Sequence, residues 1–216
     1  MTDGTSAPGS GAADGRRLPL HQRAIEIDAY DDGDRLTVVA RLRDVRPWAA
    51  DAGRAVVHDM QLELTVSVAD LVITSASATM HAFPHAECPG IEAAFSGLVG
   101  LSVARGYTRA VSERFVGVTG CSHLEHLARA IGPAVVQAVA SGFAMAHRDG
   151  AVAPPERRPS GTPWLRNTCH VWAEGGVGEQ KVALGAIPID REEYPVPSLE
   201  VLRRRQAAVA DDMPRP

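Results

Sequence analysis

Residues 57–66 read VHDMQLELTV, and this stretch decides the fold class. From Met60 to Val66 every second residue is apolar, and the residues between them are polar or charged. Alternation with a period of two predicts a β-strand that buries one face and exposes the other. By the same parity His58 shares the apolar face, whereas Asp59 points to the opposite side of the strand.

Similar alternation is found on both sides of this strand. Residues 25–29 and 36–42 alternate around an acidic turn at 31–34, a pattern typical of a β-hairpin. A further strand is predicted over 72–80, after a tight turn at 69–70. We therefore expect an antiparallel sheet of about four to five strands, with one face covered and the other partly exposed to water.

Helical spacing replaces strand alternation after residue 88. Pro89 suits the first position of a helix, and apolar residues recur every three or four positions behind it. A second helix is predicted from Ser122, because Ser122 and Glu125 have the spacing of a capping box. The expected fold class is α+β, with two or three helices packed on the sheet.

Composition divides the chain into three parts. Residues 1–17 are small, polar and rich in glycine, which predicts a disordered tail. Residues 18–148 carry the strand and helix patterns and form the predicted core domain. Residues 149–216 begin with a stretch rich in proline, glycine and arginine, and are predicted to be a linker and a partly docked C-terminal extension.

Charge and hydropathy disfavour several classes of function. A net charge of −4 gives no electrostatic case for binding nucleic acid or an acidic membrane. No apolar run reaches the ~18 residues of a membrane span, and the N-terminus lacks the apolar core of a signal peptide. We expect a cytoplasmic protein with reduced thiols, since three cysteines do not make a disulfide framework. A small-molecule substrate is the partner we expect, and the oligomeric state is not predicted.

Two cysteines occupy equivalent positions, each just ahead of a predicted helix. Cys88 precedes Pro89, and Cys121 precedes Ser122. Unpaired N–H groups and the positive end of the helix dipole favour a thiolate there, which can bind a metal or act as a nucleophile. The alternative for each is a small buried residue at a tight corner. His58 is likewise either a satisfied core histidine or a ligand at the sheet edge.

Most of the chain resembles a bacterial family described as a domain of unknown function. The resemblance covers residues 20–148 and rests on three elements: His58-Asp59-Met60 in the strand, the loop from Pro84 to Cys88, and Gly120-Cys121-Ser122-His123-Leu124 at the helix start. A Cys-His pair like Cys169-His170 often follows. This resemblance implies no particular reaction.

A more distant resemblance is to iron–sulfur cluster scaffolds of the IscU and NifU type. These have an antiparallel sheet, a cysteine that opens a helix, and a last cysteine that opens a long helix. Cys88 matches the second scaffold cysteine and Cys121 the third, but Val56 stands in place of the first and His58 in place of an aspartate. An IscU/NifU-like core is therefore implied. The missing thiolate makes iron or an iron–sulfur cluster the less favoured cofactor.

The scaffold resemblance implies that His58, Cys88 and Cys121 bind one metal ion. A Cys₂His set leaves one tetrahedral position open, as in catalytic zinc sites, so zinc is the favoured ion. The fourth position is left to water or to one of three side chains: His123, Asp59 and Cys169.

Cys121, His123 and Asp59 are the candidate catalytic residues. The favoured function is a mononuclear zinc protein that can act as an enzyme on a small molecule, with His123 or Glu125 moving protons. One alternative is a metal-free enzyme with Cys121 or Cys88 as nucleophile and His58 or His123 as base. Two others are a non-catalytic scaffold for iron–sulfur or sulfur transfer, and a structural domain whose cysteines only pack.

Overall fold

The computed structural model describes residues 19–49, 55–148, 165–186 and 195–211. The predicted N-terminal tail and the predicted linker at 149–164 lie outside these residues. The division into tail, core and extension stays a prediction.

Four strands form one open antiparallel sheet in the order of the chain. They are β1 (Gln22–Asp31), β2 (Arg35–Val45), β3 (Val56–Ser67) and β4 (Ile73–Ala82). β1 and β2 form the predicted hairpin. In its turn Gly33 has a φ of +92°, which favours glycine, and donates its N–H to the Asp31 carboxylate at 2.9 Å. The α+β class and the antiparallel sheet are confirmed, with four strands.

The helices follow the sheet in the sequence. A 3₁₀ helix, Cys88–Leu98, has Pro89 at its start as predicted, and the long helix α2 (Ser122–Arg148) begins at the predicted residue. Between them lies α1 (Tyr107–Arg114), which was not predicted. The C-terminal part contains α3 (Val177–Ala183) and α4 (Leu199–Asp211), and short 3₁₀ turns lie at Gly117–Thr119 and His170–Trp172. None of the described helices is long and apolar enough to cross a membrane.

The core lies between one face of the sheet and the helices that follow it. Alternate residues of β2 and β3 are fully or almost fully buried, as the period of two predicts. They pack against apolar side chains of the 3₁₀ helix and α2, and burial of each large side chain contributes roughly 1.5–3 kcal/mol. The buried row of β2 is Leu36, Val38, Ala40, Leu42 and, as its last member, Asp44.

Tyr107 joins α1 to α2. Its ring is buried, and its hydroxyl donates a hydrogen bond to the Ala128 carbonyl at 3.0 Å. Gly132 of α2 lies against the same ring, and a Cβ at that position would come within 2.8 Å of it. The close approach of the two helices therefore requires glycine at position 132.

Candidate active site around Asp44

A buried carboxylate stands where the apolar row of β2 ends. The Asp44 side chain is 1% exposed, and Arg23 lies directly opposite it on β1. Arg23 donates from Nε to Oδ1 at 2.7 Å and from Nη2 to Oδ2 at 2.8 Å. This two-point ion pair offsets the cost of taking the carboxylate out of water.

His58 faces Asp44 from the other neighbouring strand. The two residues are partners in the β2–β3 ladder, and His58 Nδ1 lies 3.0 Å from Asp44 Oδ2. The ladder is irregular at this point, because Val45 pairs with Val56 and skips a residue of β3. Three adjacent strands thus place an arginine, an aspartate and a histidine in one row.

Two more histidines complete the group, which we call the Asp44 cluster (His21, Arg23, Asp44, His58 and His123). His123 lies in the first turn of α2, with Nε2 3.5 Å from Asp44 Oδ2. Its ring packs against that of His58 with centroids 3.7 Å apart and planes tilted by 32°. His21, just ahead of β1, places Nε2 3.2 Å from Asp44 Oδ1.

The charges of the cluster shift the pKa values of Asp44 and His123. Burial raises the pKa of Asp44, but the hydrogen bonds and charge of Arg23, helped by His58 and His21, outweigh burial and lower that pKa to about 2. Burial lowers the pKa of His123, as do His58 and Arg23, against the opposing effect of Asp44. Asp44 is therefore an anion at neutral pH, and His123 is a neutral imidazole.

Cys121 contacts the cluster from the start of α2. Its carbonyl accepts the first helical hydrogen bond, from the Glu125 N–H at 2.8 Å, so Cys121 itself is the capping position. Its Sγ lies 3.8 Å from His123 Nδ1. The His123 ring therefore has the Cys121 thiol on one nitrogen and the Asp44 carboxylate on the other.

The Glu125 side chain does not take part in this arrangement. Its carboxylate accepts from the Ser112 hydroxyl at 3.3 Å and pairs with Arg129 at 3.5 Å. The predicted helix start at Ser122 is confirmed, but Glu125 does not reach back to close a capping box, and its contacts are with α1 and α2 instead.

Asp59 lies on the opposite face of the sheet from His58. It accepts a hydrogen bond from Arg41 Nε at 2.7 Å, and Arg43 lies 4.0 Å away. The hydrogen bond and charge of Arg41 lower the pKa of Asp59, even though burial opposes this effect. Adjacent strand residues point to opposite faces, so the neighbour of His58 in the sequence is not its neighbour in the site.

The remaining predicted residues, Cys88 and Cys169, make no hydrogen bond or ion pair with the cluster within the described part of the chain. Cys88 begins the 3₁₀ helix, where it packs beside the core, and Cys169 is exposed in the C-terminal part. Over the described residues, the potential ligand atoms of Asp44, His58 and His123 lie within 4.8 Å of one another, a group that includes neither Cys88 nor Cys121. This group shares only His58 with the predicted zinc ligands, and the zinc assignment stays a prediction.

Asp44 and Arg23 were missed from the sequence, although a signal for both was present. Each occupies a position of apolar parity: Asp44 follows Leu42 by two residues, and Arg23 precedes Ile25 by two. A charged residue that continues a buried row must find a partner or lose its charge. Two such residues at the same end of a predicted hairpin are therefore candidates for an ion pair.

A comparison with protein families adds a classification. The model of a family described as "Protein of unknown function (DUF2889)" matches residues 21–137, more than half of the chain. This chain belongs to the DUF2889 family. The match confirms the predicted membership in a domain of unknown function, and it includes the whole Asp44 cluster and Cys121 but not Cys169. No curated protein and no solved structure matches the chain, so the resemblance to IscU and NifU scaffolds stays a prediction.

The cluster fits a metal ion in one respect and not in another. The separations of 3.0 and 3.5 Å between Asp44 Oδ2 and the two imidazole nitrogens suit ligands of a common ion. In zinc sites the Zn–N bonds to imidazole are about 2.1 Å long. If the N–Zn–N angle is about 90° or wider, the centroids of the two imidazole rings are about 4.6 Å apart or more. The ring centroids of His58 and His123 are closer than this, and Arg23 already donates to both carboxylate oxygens of Asp44. A metal would require the two rings to separate.

Proposed function

We propose that this DUF2889 domain is an enzyme in which Cys121 is the nucleophile and His123 the base. The observation that supports the proposal is the position of the His123 ring, with Nδ1 at 3.8 Å from the thiol and Nε2 at 3.5 Å from a buried carboxylate. A nucleophile, a base and a group that orients the base are the parts that covalent catalysis needs.

The proposed reaction begins with proton transfer from the Cys121 thiol to neutral His123. The thiolate then forms an S–C bond with an electrophilic carbon of a small-molecule substrate, and the displaced electron pair moves to an electronegative atom of that substrate. Asp44 stabilises the imidazolium that results. Unpaired N–H groups in the first turn of α2 stabilise the developing negative charge.

His58 supplies a second proton-transfer group. Its Nδ1 is held by Asp44 Oδ2, which leaves Nε2 to donate a proton to the substrate or to accept one from it. Asp44 thus orients two imidazoles at once, and its lowered pKa keeps it in the charged form that does so.

The rate of alkylation by iodoacetamide, followed for each cysteine by mass spectrometry, tests this proposal. We expect half-buried Cys121 to be alkylated faster than exposed Cys169. The H123N substitution should lower the alkylation rate of Cys121 and leave the rates of the other two cysteines unchanged. Cys88 is the matched control, because it is also half-buried at a helix start but has no imidazole contact among the described residues. Equal and slow labelling of all three cysteines would overturn the proposal.

A divalent-metal protein is the second candidate, favoured by the short distances between the ligand atoms of Asp44, His58 and His123. Zinc is the ion to test, with Cys121 or water as a further ligand. Metal analysis of protein purified without a His tag, followed by zinc titration of wild type and D44N, decides this candidate. The metal-protein candidate is excluded if the purified protein contains no metal and zinc binds wild type and D44N with the same affinity.

A further inference from the structure

The guanidinium of Arg23 has donors that the cluster does not use. Nε and Nη2 each donate to Asp44, and Nη1 lies 3.3 Å from His126 Nδ1. A guanidinium has five N–H groups, so one on Nη1 and one on Nη2 are left without an acceptor among the described residues. The Arg23 side chain is 32% exposed, and these terminal nitrogens can therefore be reached from solvent.

Nitrogen-bearing side chains surround this end of Arg23. His126 is exposed on α2, and His21 is half-exposed on the other side of the Asp44 carboxylate. The acid that contacts Arg23 in the described part of the chain is Asp44, which is buried. The solvent-exposed part of this group therefore offers N–H donors and positive charge, and the negative charge of Asp44 is buried beneath it.

Apolar surface lies just beyond the same end of the sheet. Leu20 is 79% exposed and Trp48 is 59% exposed, and Trp48 Nε1 donates to the Leu20 carbonyl at 2.9 Å. Arg23 and Asp44 form the second to last pair of the β1–β2 ladder, and Gln22 and Val45 form the last. Leu20 lies two residues before Gln22, and Trp48 lies three residues after Val45. A large exposed aromatic residue at the same end of a sheet as unused donors is typical of a surface that binds organic ligands.

We infer that the substrate of this site carries an oxyanion, which Arg23 and His126 bind, and an apolar group, which contacts Leu20 and Trp48. This inference rests on the proposed enzymatic function and names the class of its substrate. A carboxylate and a phosphate ester share the required chemistry, since the planar guanidinium binds two oxygens of either group. The anion would lie beside His123 and so bring the rest of the substrate towards Cys121.

Calorimetric titration of the full chain with small probes tests the inference. Benzoate and phenyl phosphate carry both features, acetate lacks the ring, and benzyl alcohol lacks the charge. We expect the two aromatic anions to bind, acetate to bind more weakly and benzyl alcohol not to bind. The tighter of the aromatic anions identifies the carboxylate or the phosphate as the favoured group. Binding of benzyl alcohol as tight as that of benzoate would overturn the inference.

Two variants locate the binding site. R23K keeps a positive charge beside Asp44 but loses the planar pair of donors, and we expect benzoate to bind at least about tenfold more weakly. R129K is the matched control, an arginine of α2 that pairs with Glu125, and should bind benzoate as the wild type does. H126Q leaves the Arg23–Asp44 pair in place and decides the question if R23K does not fold. Unchanged affinity in R23K, or in H126Q if R23K is unfolded, contradicts the inference.

The outcomes separate this inference from the proposed function. If Cys121 labels rapidly but no anion binds, the substrate class is wrong and the enzymatic proposal stands. If benzoate binds through Arg23 but Cys121 labels slowly, the oxyanion site is real and its role as part of a cysteine enzyme is wrong.

Discussion

The imidazole of His58 packs against that of His123, with ring centroids 3.7 Å apart, and both rings contact one carboxylate oxygen of Asp44. Two positive charges so close would repel each other, and the charge of His58 is one of the causes that lower the pKa of His123. His123 is therefore less readily protonated than a histidine free in water. A base that stays neutral can accept a proton from Cys121.

D44N should destabilise the domain strongly. It leaves the partly buried Arg23 without its counter-ion, and breaking a buried pair in this way costs about 3 kcal/mol in the free energy of unfolding. Urea denaturation at neutral pH measures the loss. D34N is the matched control, because Asp34 is 85% exposed in a surface pair with Arg35, and its effect should stay within roughly 0.5 kcal/mol. Equal effects of the two substitutions would show that Asp44 is not the centre of the cluster.

The pH dependence of stability should report the lowered pKa of Asp44. A carboxyl group whose pKa is lower in the folded state stabilises the fold above its unfolded pKa, here 3.8, and loses this effect as pH falls towards about 2. We expect the difference in unfolding free energy between wild type and D44N to be largest at neutral pH and to decrease below about pH 4. A difference that stays constant down to the lowest pH at which both proteins fold would contradict the assignment.

H123Q should weaken the pH dependence of stability in the weakly acidic range. The folded pKa of His123 lies below the ordinary value of 6.5, so the unfolded chain takes up a proton first as pH falls, and stability falls with it. Removal of this titration should make stability change less between about pH 7.5 and pH 5 than in the wild type. R129K, which changes a half-exposed side chain of α2 without removing a group that titrates in this range, is the control and should keep the slope of the wild type. If the stability of H123Q changed with pH as steeply as that of the wild type, the pKa of His123 would not be lowered in the folded protein.

D59N and D44N should differ in their effect on Cys121. Asp59 faces Arg41 on the far side of the sheet, so its substitution should leave the rate of Cys121 alkylation within about twofold of wild type. D44N removes the charge that orients His123, and should slow alkylation at least about tenfold. Mass spectrometry of the labelled peptides measures both rates. A large effect of D59N alone would support the sequence-based prediction that Asp59 is a catalytic residue.

G132A should destabilise the contact between α1 and α2. The added Cβ would lie 2.8 Å from the Tyr107 ring, and relief of such overlap in a packed core costs about 1–3 kcal/mol, more than alanine gains in helix propensity. G97A is the control, since the nearest atom to its Cβ would be at an ordinary 3.8 Å. Urea denaturation of both variants gives the comparison. A G132A protein at least as stable as the wild type would show that the two helices can move apart without cost.

The sequence by itself determined the parts of the molecule that depend on local pattern. Alternation over residues 57–66 specified β3 and separated His58 from Asp59, because successive side chains of a strand point to opposite faces. The spacing of Ser122 and Glu125 predicted the start of α2 and placed Cys121 just before it, although Glu125 makes other contacts in the structure. Helix α1 escaped prediction because only two of its eight residues, Tyr107 and Val111, are buried, which is too few to set a period.

Only the tertiary structure decided which of these residues meet. Arg23 and Asp44 are 21 positions apart, and Asp44 and His58 are 14 apart, so their contacts depend on the register of two strand pairs. Register is set by the packing of whole faces and by irregularities of the ladder, and a slip of one residue would turn Asp44 away from the core. The docking of α2 then brought His123 to the Asp44 carboxylate, with Cys121 on the other side of the His123 ring. Local periodicity carries no information about such contacts, which is why Cys121 and His123 were named from the sequence and their link to Asp44 was not.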